Sequence, residues 1–284
     1  MNATVSPNPR AIGALLIDAG RLTPEKAEQA LRFAREKNLR FGDAALQLGL
    51  ITAEDLDFAL ARQFDYAYLR PGDDVVADEV VAAFAPNTPA VEALRALRTQ
   101  LMLRWFGAEA GNKALTIVSP ERGEGRSWMA ANLAVVFSQL GERTLLIDAD
   151  MRHPRQHTLF RLDNRLGLSA VLTGRGGEES IRRITPLLGL SVLPAGATPP
   201  NAQELLSRPA FTQLLTHLQT RFDVIIIDSP AATHCADAQA IAARAGAAVL
   251  VARKNLSPVS RLAFTAQAIT QAGAQLVGSV MNEH

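Results

Sequence analysis

Residues 115–127 read Leu-Thr-Ile-Val-Ser-Pro-Glu-Arg-Gly-Glu-Gly-Arg-Ser: an apolar, β-branched run enters a glycine-bearing turn that ends in a basic residue and a hydroxyl. This order is typical of a phosphate-binding loop between a strand and a helix. Glycines let the backbone approach phosphate oxygens, the amides and the helix N-terminus attract the negative charge, and the hydroxyl can bind Mg²⁺. Two positions depart from the G-x-x-x-x-G-K-[ST] pattern, because Pro120 replaces the first glycine and Arg126 replaces the lysine.

Acidic residues follow two further apolar runs. One run leads into Asp148, Asp150 and Arg152, and another leads into Asp228. Ligands of a parallel α/β sheet bind at the carboxyl ends of its strands, so we expect these acids beside the loop. A hydroxyl, carboxylates and nucleotide phosphates are the usual oxygen ligands of Mg²⁺. The sequence therefore predicts a magnesium–nucleotide site, although any single Asp after a strand is also a common cap or turn residue.

Strands and helices alternate after residue 114. This order predicts an α/β fold with a doubly wound, mainly parallel sheet of the P-loop NTPase type. We expect strands near 115–118, 144–148, 190–193, 223–228, 247–252 and 275–281, and helices near 127–140, 202–220, 236–245 and 258–272.

The first third of the chain contains an internal repeat. Seven positions of a first copy, beginning with Gly13, recur 29 residues later in a second copy that begins with Gly42. Each copy predicts a short helix, a glycine that ends it, and a threonine that caps a longer helix. We therefore expect a small all-α tandem-repeat domain over 1–69, a linker with a short helix of its own over 70–89, and a nucleotide-binding domain over 90–284.

The last two thirds of the chain resemble the cytoplasmic kinase domain of bacterial tyrosine kinases, and more narrowly the chain-length determinant kinases of exopolysaccharide clusters (the EpsG type). The loop at 119–127 resembles the phosphate loop of that family. The segment with Asp148, Asp150 and Arg152 resembles its second Walker-A-like motif, and Asp228 matches its Walker B acid. The resemblance implies a kinase-like domain that uses ATP and Mg²⁺.

The resemblance and the chemistry of phosphoryl transfer together assign a role to each site residue. We expect the loop amides and Arg126 to contact the β- and γ-phosphates and Ser127 to bind Mg²⁺. Asp228 and one of Asp148 and Asp150 would hold the ion or its waters, and the other acid would accept the proton of the acceptor. Arg152 would steady the γ-phosphate or pair with an acid, and Asn282 would contact the adenine by analogy. The predicted nucleotide contacts are Gly123, Glu124, Gly125, Arg126, Ser127, Arg152 and Asn282.

A further motif bears on assembly. Glu92, Arg95 and Arg98 fit the E-x-x-R-x-x-R motif that the family uses in subunit contacts, so we expect a homo-oligomer; the alternative is an exposed, solvated helix face.

The residue before the loop glycines separates two groups of ATPases. Partition and cell-division ATPases of the same superfamily carry a further lysine five residues before the loop lysine. Glu121 stands at that position here, which argues against those ATPases.

The resemblance implies an ATP-dependent tyrosine kinase that regulates exopolysaccharide chain length and export with a membrane polysaccharide co-polymerase. Two alternatives remain open: an ATPase switch without kinase activity, and a nucleotide-binding adaptor with little turnover. Related kinases carry a C-terminal cluster of acceptor tyrosines, whereas Tyr66 and Tyr68 are the only tyrosines of this sequence. Any phosphate on a tyrosine of this chain is therefore expected there.

The N-terminal repeat resembles the N-terminal domain of type II secretion and pilus-assembly ATPases. In some members of that family, tandem motifs of this kind bind cyclic di-GMP. The second copy keeps Arg40 and Gln63 near its ends, whereas Ala11 and Ala34 stand at the equivalent positions of the first. A helical protein-interaction module and a cyclic di-GMP site therefore remain the two interpretations.

Composition limits the classes of partner. The chain has 284 residues, 48% of them hydrophobic, and 29 basic against 28 acidic residues, so no global charge favours nucleic acid. The single cysteine, Cys235, excludes an internal disulfide. The sequence shows neither a signal peptide nor an apolar run long enough for a membrane helix. We expect a cytoplasmic protein that reaches the inner membrane through a partner.

Overall fold

The computed structural model describes residues 11–53, 55–56, 59–60, 68–69, 72–107, 111–185 and 187–283. The chain divides into two compact units, Met1–Tyr68 and Leu69–His284.

Short helices form the first unit. Helices α1 (Ile12–Asp18), α2 (Pro24–Lys37) and α3 (Phe41–Gln47) precede further helical residues within 53–60. The threonines that the repeat predicts as caps act as caps: Oγ1 of Thr23 accepts the amide of Lys26, and Oγ1 of Thr52 accepts that of Asp55. Buried side chains of both copies pack into one core, which includes Leu16, Ala30, Ala45 and Ala59.

A seven-stranded sheet forms the second unit. Its strands are β1 (Ala114–Val118), β2 (Thr144–Asp148), β3 (Arg182–Arg183), β4 (Leu190–Leu193), β5 (Val224–Asp228), β6 (Ala247–Arg253) and β7 (Gln275–Asn282). Their order is β3-β4-β2-β5-β1-β6-β7, and every pairing is parallel except that of β3 with β4. The central strands β1, β2 and β5 are buried along their whole length, as parallel strands between two helical layers must be.

Helices cover both faces of this sheet. Leu146 of β2 belongs to the core on one face, together with Leu94 and Phe137, whereas Leu145 belongs to the core on the other face, together with Phe211. The sheet is therefore doubly wound and mainly parallel, as the sequence predicts. Within the described ranges, none of the helices has both the length and the apolar character that crossing a bilayer requires. The helices of this unit are α4 (Val81–Phe84), α5 (Pro89–Arg104), α6 (Arg126–Ser138), α7 (Gln156–Leu159), α8 (Leu168–Leu172), α9 (Ala202–Ser207), α10 (Pro209–Gln219), α11 (Asp237–Ala245) and α12 (Val259–Gln271).

Two of the differences between the structure and the predicted elements have a local cause. The single helix expected over 202–220 is divided into α9 and α10, because Arg208 is extended (φ −71°, ψ 154°) before Pro209. A residue that precedes proline is disfavoured in the helical region, and Pro209 is well placed as the first residue of the next helix. The short antiparallel strand β3 was not expected, since two residues give no periodic signal.

The segment expected as a linker packs against the second unit where it is described. Val76, Val80 and Ala82 are fully buried in the core that also contains α6. Asn132 of α6 fixes the segment, because its Oδ1 accepts the amide of Ala82 at 2.9 Å and its Nδ2 donates to the carbonyl of Glu79. The described residues of this segment therefore belong to the second compact unit, and the predicted domain boundaries stay predictions.

Candidate nucleotide-binding site

Three neighbouring strands bring the predicted site residues to one edge of the sheet. Strands β2, β5 and β1 lie side by side and parallel, in that order. Asp148 at the end of β2 is the register partner of Asp228 at the end of β5, and the loop follows directly after Val118 of β1. The loop and both strand-end acids therefore lie at the same carboxyl edge.

Two glycines give the loop its shape. Gly123 and Gly125 have φ angles of 78° and 97°, which side-chain-bearing residues rarely adopt. A Cβ atom at position 125 would lie 2.2 Å from Nδ2 of Asn282, so this close approach also requires glycine. Gly125 caps helix α6, whose 13 residues begin at Arg126. The amides at the start of a long helix thus follow the turn directly, as anion binding requires.

Side chains from the β6 and β7 ends support the loop. Arg253 donates Nη1 to the carbonyl of Gly123 at 2.9 Å, and Asn282 donates Nδ2 to the carbonyl of Glu124 at 3.2 Å. The carboxylate of Glu124 is fully buried, where it accepts the amide of Glu121 at 2.7 Å and the hydroxyl of Ser257. The structure therefore places Asn282 and the Glu124 side chain against the loop, and the adenine contact of Asn282 stays a prediction.

Glu121 connects the loop to the segment after β5 and to α12. Its Oε1 accepts hydrogen bonds from the Thr233 hydroxyl, at 2.8 Å, and from Arg261, and its Oε2 lies 3.0 Å from Nε2 of His234. The Glu121 carboxylate is therefore engaged by groups of its own chain.

Arg126 lies inside the loop, with 7% of the residue exposed. Its Nη1 donates to the Ser119 hydroxyl at 2.6 Å and to the Glu121 carbonyl at 2.7 Å, and its Nε donates to the Ser229 carbonyl at 2.9 Å. The planar guanidinium thus joins the start of the loop to the end of β5, which a lysine ammonium could not do with the same geometry. Arg126 occupies the lysine position and brings its charge into the loop.

Asp228 keeps one carboxylate oxygen free of hydrogen bonds among the described residues. It is fully buried, its Oδ2 accepts Nε2 of Gln156 at 2.7 Å, and its Oδ1 has no such partner. Burial raises the pKa of Asp228 to about 6, although the Arg126 charge and the Gln156 and Ser127 side chains favour its ionised form. An ionised oxygen buried near the loop hydroxyl is what a cation needs.

Asp148 is engaged by backbone amides instead. Its Oδ2 accepts the amides of Arg155 and Gln156, each at 2.9 Å, and its Oδ1 accepts the amide of Asp150 at 3.2 Å. Burial raises the pKa of Asp148 well above its ordinary value, and the nearby charge of Asp228 adds to this rise. Asp148 therefore acts in this structure as the organiser of the turn after β2.

Asp150 and Arg152 line a cavity of about 230 Å³ beside the loop. Oδ1 of Asp150 accepts the amides of Arg152 and His153, at 3.3 and 2.9 Å. The Arg152 guanidinium pairs with the buried Asp237 at 3.0 Å, and this bond raises the pKa of Arg152. Of the two roles expected for Arg152, the structure therefore contains the salt bridge to an acid. The cavity is lined by Arg122, Asp150, Arg152, His153, Pro230, Ala231, His234 and Cys235.

Two of the predicted oxygen ligands, Ser127 and Asp228, fit a magnesium–nucleotide complex, whereas both oxygens of Asp148 already accept backbone amides. Ser127 and Asp228 lie together at the start of α6, and Oδ1 of Asp228 is buried without a hydrogen bond in the part of the chain that the structure describes. Within that same part, no group of three or more His, Cys, Asp or Glu side chains could hold a metal by itself. A hydroxyl and a carboxylate oxygen suit Mg²⁺, which binds one or two protein oxygens and completes its shell with phosphates and water.

Sequence reasoning missed two residues of the site. Gln156 bridges Asp228 and the carbonyl of Ser127, and Asp237 holds Arg152. Neither belongs to a motif, and each is far in sequence from its partner. The position of Asp237 at the start of a helix is the one local signal that could have drawn attention to it.

The residues predicted for subunit contacts lie on α5 and make contacts within this chain. Glu92 pairs with Arg95 along the helix, and Arg98 donates Nη1 to the carbonyl of Val136 at 2.7 Å. Of the two tyrosines, Tyr66 lies outside the described residues, and Tyr68 is half-buried. The oligomer and the acceptor tyrosine therefore stay predictions.

Comparison with known proteins places this second unit in a family. The family model described as cellulose biosynthesis protein BcsQ matches residues 113–280. The tyrosine-protein kinase YwqD of Bacillus subtilis is 36% identical over 203 residues, which cover 72% of this chain and 85% of that protein. The putative tyrosine-protein kinase EpsB of Ralstonia solanacearum is 35% identical over 205 residues, but the match covers 27% of its length, so the chain spans about a quarter of that relative.

Solved structures agree with these relatives. The kinase domain of the Escherichia coli tyrosine kinase ETK is 33% identical and superposes with a TM-score of 0.68, over 72% of this chain and 79% of that one. The septum site-determining protein MinD of Pyrococcus horikoshii, solved with Mg-ADP, is 23% identical with a TM-score of 0.54, over 61% of this chain and 71% of that one, and shares the fold alone. From its loop, its strand-end acids and these matches, the chain belongs to the family of bacterial tyrosine-protein kinases.

Proposed function

We propose that this chain is an ATP-dependent protein-tyrosine kinase that regulates exopolysaccharide chain length and export together with a membrane co-polymerase. The observation that carries the proposal is the meeting of Arg126, Ser127 and the free oxygen of Asp228 at one sheet edge. Membership of the tyrosine kinase family supports the choice of tyrosine as acceptor.

In phosphoryl transfer the protein mainly positions the reacting groups and stabilises their charge. The amides of 123–127 and the Arg126 guanidinium would hold the β- and γ-phosphates. The Ser127 hydroxyl and the Asp228 carboxylate would hold Mg²⁺, which, when bound, neutralises charge on the phosphates. Arg152, fixed by Asp237, would steady the transferred group from the cavity side.

Asp150 is the better candidate for the acid that accepts the proton of the acceptor hydroxyl. It lines the cavity beside the loop, whereas the carboxylate of Asp148 accepts three backbone amides and is fully buried. A general base must reach the substrate, and Asp150 faces a space that a side chain from another protein could enter.

One observation favours a second function, a nucleotide-binding adaptor with little turnover. Arg126 uses three of its five N–H donors on groups of its own loop and of the adjacent β5 end. If those hydrogen bonds persist with nucleotide bound, the charge at the γ-phosphate is weaker than a free cation would give.

Incubation of the full chain with labelled ATP and Mg²⁺, with and without the cytoplasmic segment of the co-polymerase, separates these functions. Phosphotyrosine on Tyr66, Tyr68 or the partner supports the kinase, free phosphate alone supports an ATPase switch, and binding without turnover supports an adaptor. Asp150→Asn should abolish transfer while MgADP still binds. Asp163→Asn removes a carboxylate that pairs with Arg165 in an exposed turn, and it should leave transfer unchanged.

The remaining proposals concern location and the first unit. Binding to the co-polymerase would keep the protein on the cytoplasmic side of the inner membrane. The helical repeat would serve as a protein-interaction module, and cyclic di-GMP binding is the alternative for it. Titration of the full chain with cyclic di-GMP, in parallel with Arg40→Ala, tests the alternative; heat that vanishes in the variant would support it.

A further inference from the structure

We propose that Gln156 is a positioning residue of the magnesium–nucleotide site, which holds one oxygen of Asp228 so that the other stays available to the metal. The inference rests on the proposed function in that it assumes Mg²⁺ binding at Ser127 and Asp228. It adds a residue that neither the motifs nor the family resemblance singled out.

Gln156 contacts all three residues predicted to bind the metal. Its Nε2 donates to Oδ2 of Asp228 at 2.7 Å and to the carbonyl of Ser127 at 3.1 Å. Its backbone amide donates to Oδ2 of Asp148 at 2.9 Å. Gln156 is fully buried, so these bonds form without competition from solvent.

The chemical type of this side chain suits the position. Asp148 and Asp228 are register partners at adjacent strand ends, so their carboxylates repel each other when both are ionised. A neutral amide donates a hydrogen bond without adding a charge, and it leaves the net negative charge that attracts a cation. A lysine or arginine at position 156 would instead neutralise the site.

Buried atoms without hydrogen bonds add a second observation. Among the described residues, Oδ1 of Asp228 and Oε1 of Gln156 are both buried and both lack a donor. Two acceptors of this kind in contacting side chains are costly unless the functional state supplies a partner. A bound magnesium ion would be a partner for Oδ1 of Asp228.

The test separates affinity for the metal from affinity for the nucleotide. Calorimetry of the full chain measures the binding of ADP with excess Mg²⁺ and of ADP with a chelator. In Gln156→Leu we expect the gain in affinity due to Mg²⁺ to fall by about 10- to 100-fold, the range typical of residues that orient metal ligands. Metal-free ADP should bind as it does to wild type, because the loop amides and Arg126 are untouched.

Gln139→Leu is the matched control. Gln139 donates Nε2 to the carbonyl of Ala82 at 2.9 Å, away from the acids, so the same substitution there removes a similar hydrogen bond. It should leave the magnesium effect unchanged. Gln156→Met, which is neutral and close to glutamine in size, serves as a second variant should Gln156→Leu fail to fold. It should also weaken the magnesium effect, because its side chain has no N–H to donate to Asp228.

Three results would count against the inference. An unchanged magnesium effect in both Gln156 variants would overturn it. A parallel loss of metal-free and magnesium-dependent binding, together with a lower melting temperature, would assign Gln156 to the fold alone and would overturn it as well. If wild type itself shows no magnesium effect, the proposed function fails first, and this outcome is distinct from the other two.

Discussion

Arg126 illustrates how one residue can serve both the fold and the ligand. Its hydrogen bonds to Ser119, Glu121 and Ser229 join the two ends of the loop to β5, while its charge lies where phosphates are expected. An arginine suits the first task because its donors form a rigid fork. The second task requires only the charge, so the two can be separated by substitution.

We expect Arg126→Ala to weaken MgADP binding by at least about tenfold, because it removes a charged hydrogen-bond donor from the phosphates. Arg126→Lys should retain binding, since the charge remains, but should lower the free energy of unfolding by about 1–2 kcal/mol through the lost bridges. Calorimetry measures the first effect. Urea unfolding followed by the fluorescence of Trp105 and Trp128, both packed in the second unit, measures the other. Wild-type binding by Arg126→Ala would contradict the assignment.

Asp228 predicts a pH dependence of stability. Its pKa is raised to about 6 in the folded protein by burial, so between about pH 4 and 6 the unfolded chain releases a proton that the folded chain keeps. The free energy of unfolding should therefore fall as pH rises through this window. Asp228→Asn should remove that part of the slope and stabilise the nucleotide-free protein at pH 8, by roughly 3 kcal/mol for a shift of two pKa units.

Asp223 is a control because its pKa shift has the opposite sign to that of Asp228. Its hydrogen bond and ion pair with Arg143 lower the pKa of Asp223, so its contribution is present at neutral pH and is lost on acidification. Asp223→Asn should therefore destabilise the protein at pH 8. Urea unfolding at pH 5 and pH 8 compares the two variants, and equal signs would show that the pKa of Asp228 is not raised.

At the scale of elements, the phosphate loop depends on supports from β6 and β7 as well as on its own glycines. Gly125 needs both a positive φ and space beside Asn282, whereas Gly123 has a positive φ but open space, with nothing within 4 Å of where a Cβ atom would lie. An alanine at position 123 would therefore test backbone strain alone, whereas an alanine at position 125 would add a steric clash with Asn282.

We expect Gly123→Ala to cost about 1 kcal/mol of stability from the left-handed conformation alone. Gly125→Ala should cost about 2 kcal/mol or more, because it also displaces the Asn282 amide from the carbonyl of Glu124. Gly125→Ala should in addition weaken MgADP binding by disturbing the cap of α6. The same fluorescence-detected unfolding and calorimetry apply, and equal effects of the two substitutions would contradict this reading of the loop.

The sequence predicted the elements of the sheet well because their signals are local. The apolar runs of β2 and β5 and the acids that follow them identify both the strands and the edge that they share. Gln156 and Asp237 escaped prediction because their roles depend on partners 72 and 85 residues away. The role of the Glu124 carboxylate escaped for the same reason, since its partner Ser257 is 133 residues away.

At the scale of the whole molecule, the contacts on α5 refine the expected self-association. Arg98 donates to the carbonyl of Val136 and so fastens α5 to α6. Glu92 and Arg95 pair with each other, and Glu92 is exposed, so this pair can exchange partners with a second copy of the chain. The motif thus combines one residue that supports the fold with two that can form an interface.

We expect a Glu92→Ala, Arg95→Ala double variant to form smaller assemblies than wild type in multi-angle light scattering at matched nucleotide and salt. Its melting temperature should fall less than that of Arg98→Ala, because Glu92 is exposed and a partly exposed ion pair contributes little to stability. Arg98→Ala should instead lower the melting temperature, because it removes the hydrogen bond from α5 to the carbonyl of Val136 in α6. If the double variant and wild type have the same mass, the Glu92–Arg95 pair forms no interface.

The arginine in the loop also decides how this protein can be detected. The four lysines of the chain are residues 26, 37, 113 and 254, so none lies in the phosphate loop or at the ends of β2 and β5. Acyl-phosphate probes, which find ATP-binding proteins by acylating a lysine amine beside the phosphates, have no such amine in this loop. Such probes should therefore not label the phosphate loop, whereas dicarbonyl reagents selective for guanidinium groups should modify the loop and be blocked by MgADP.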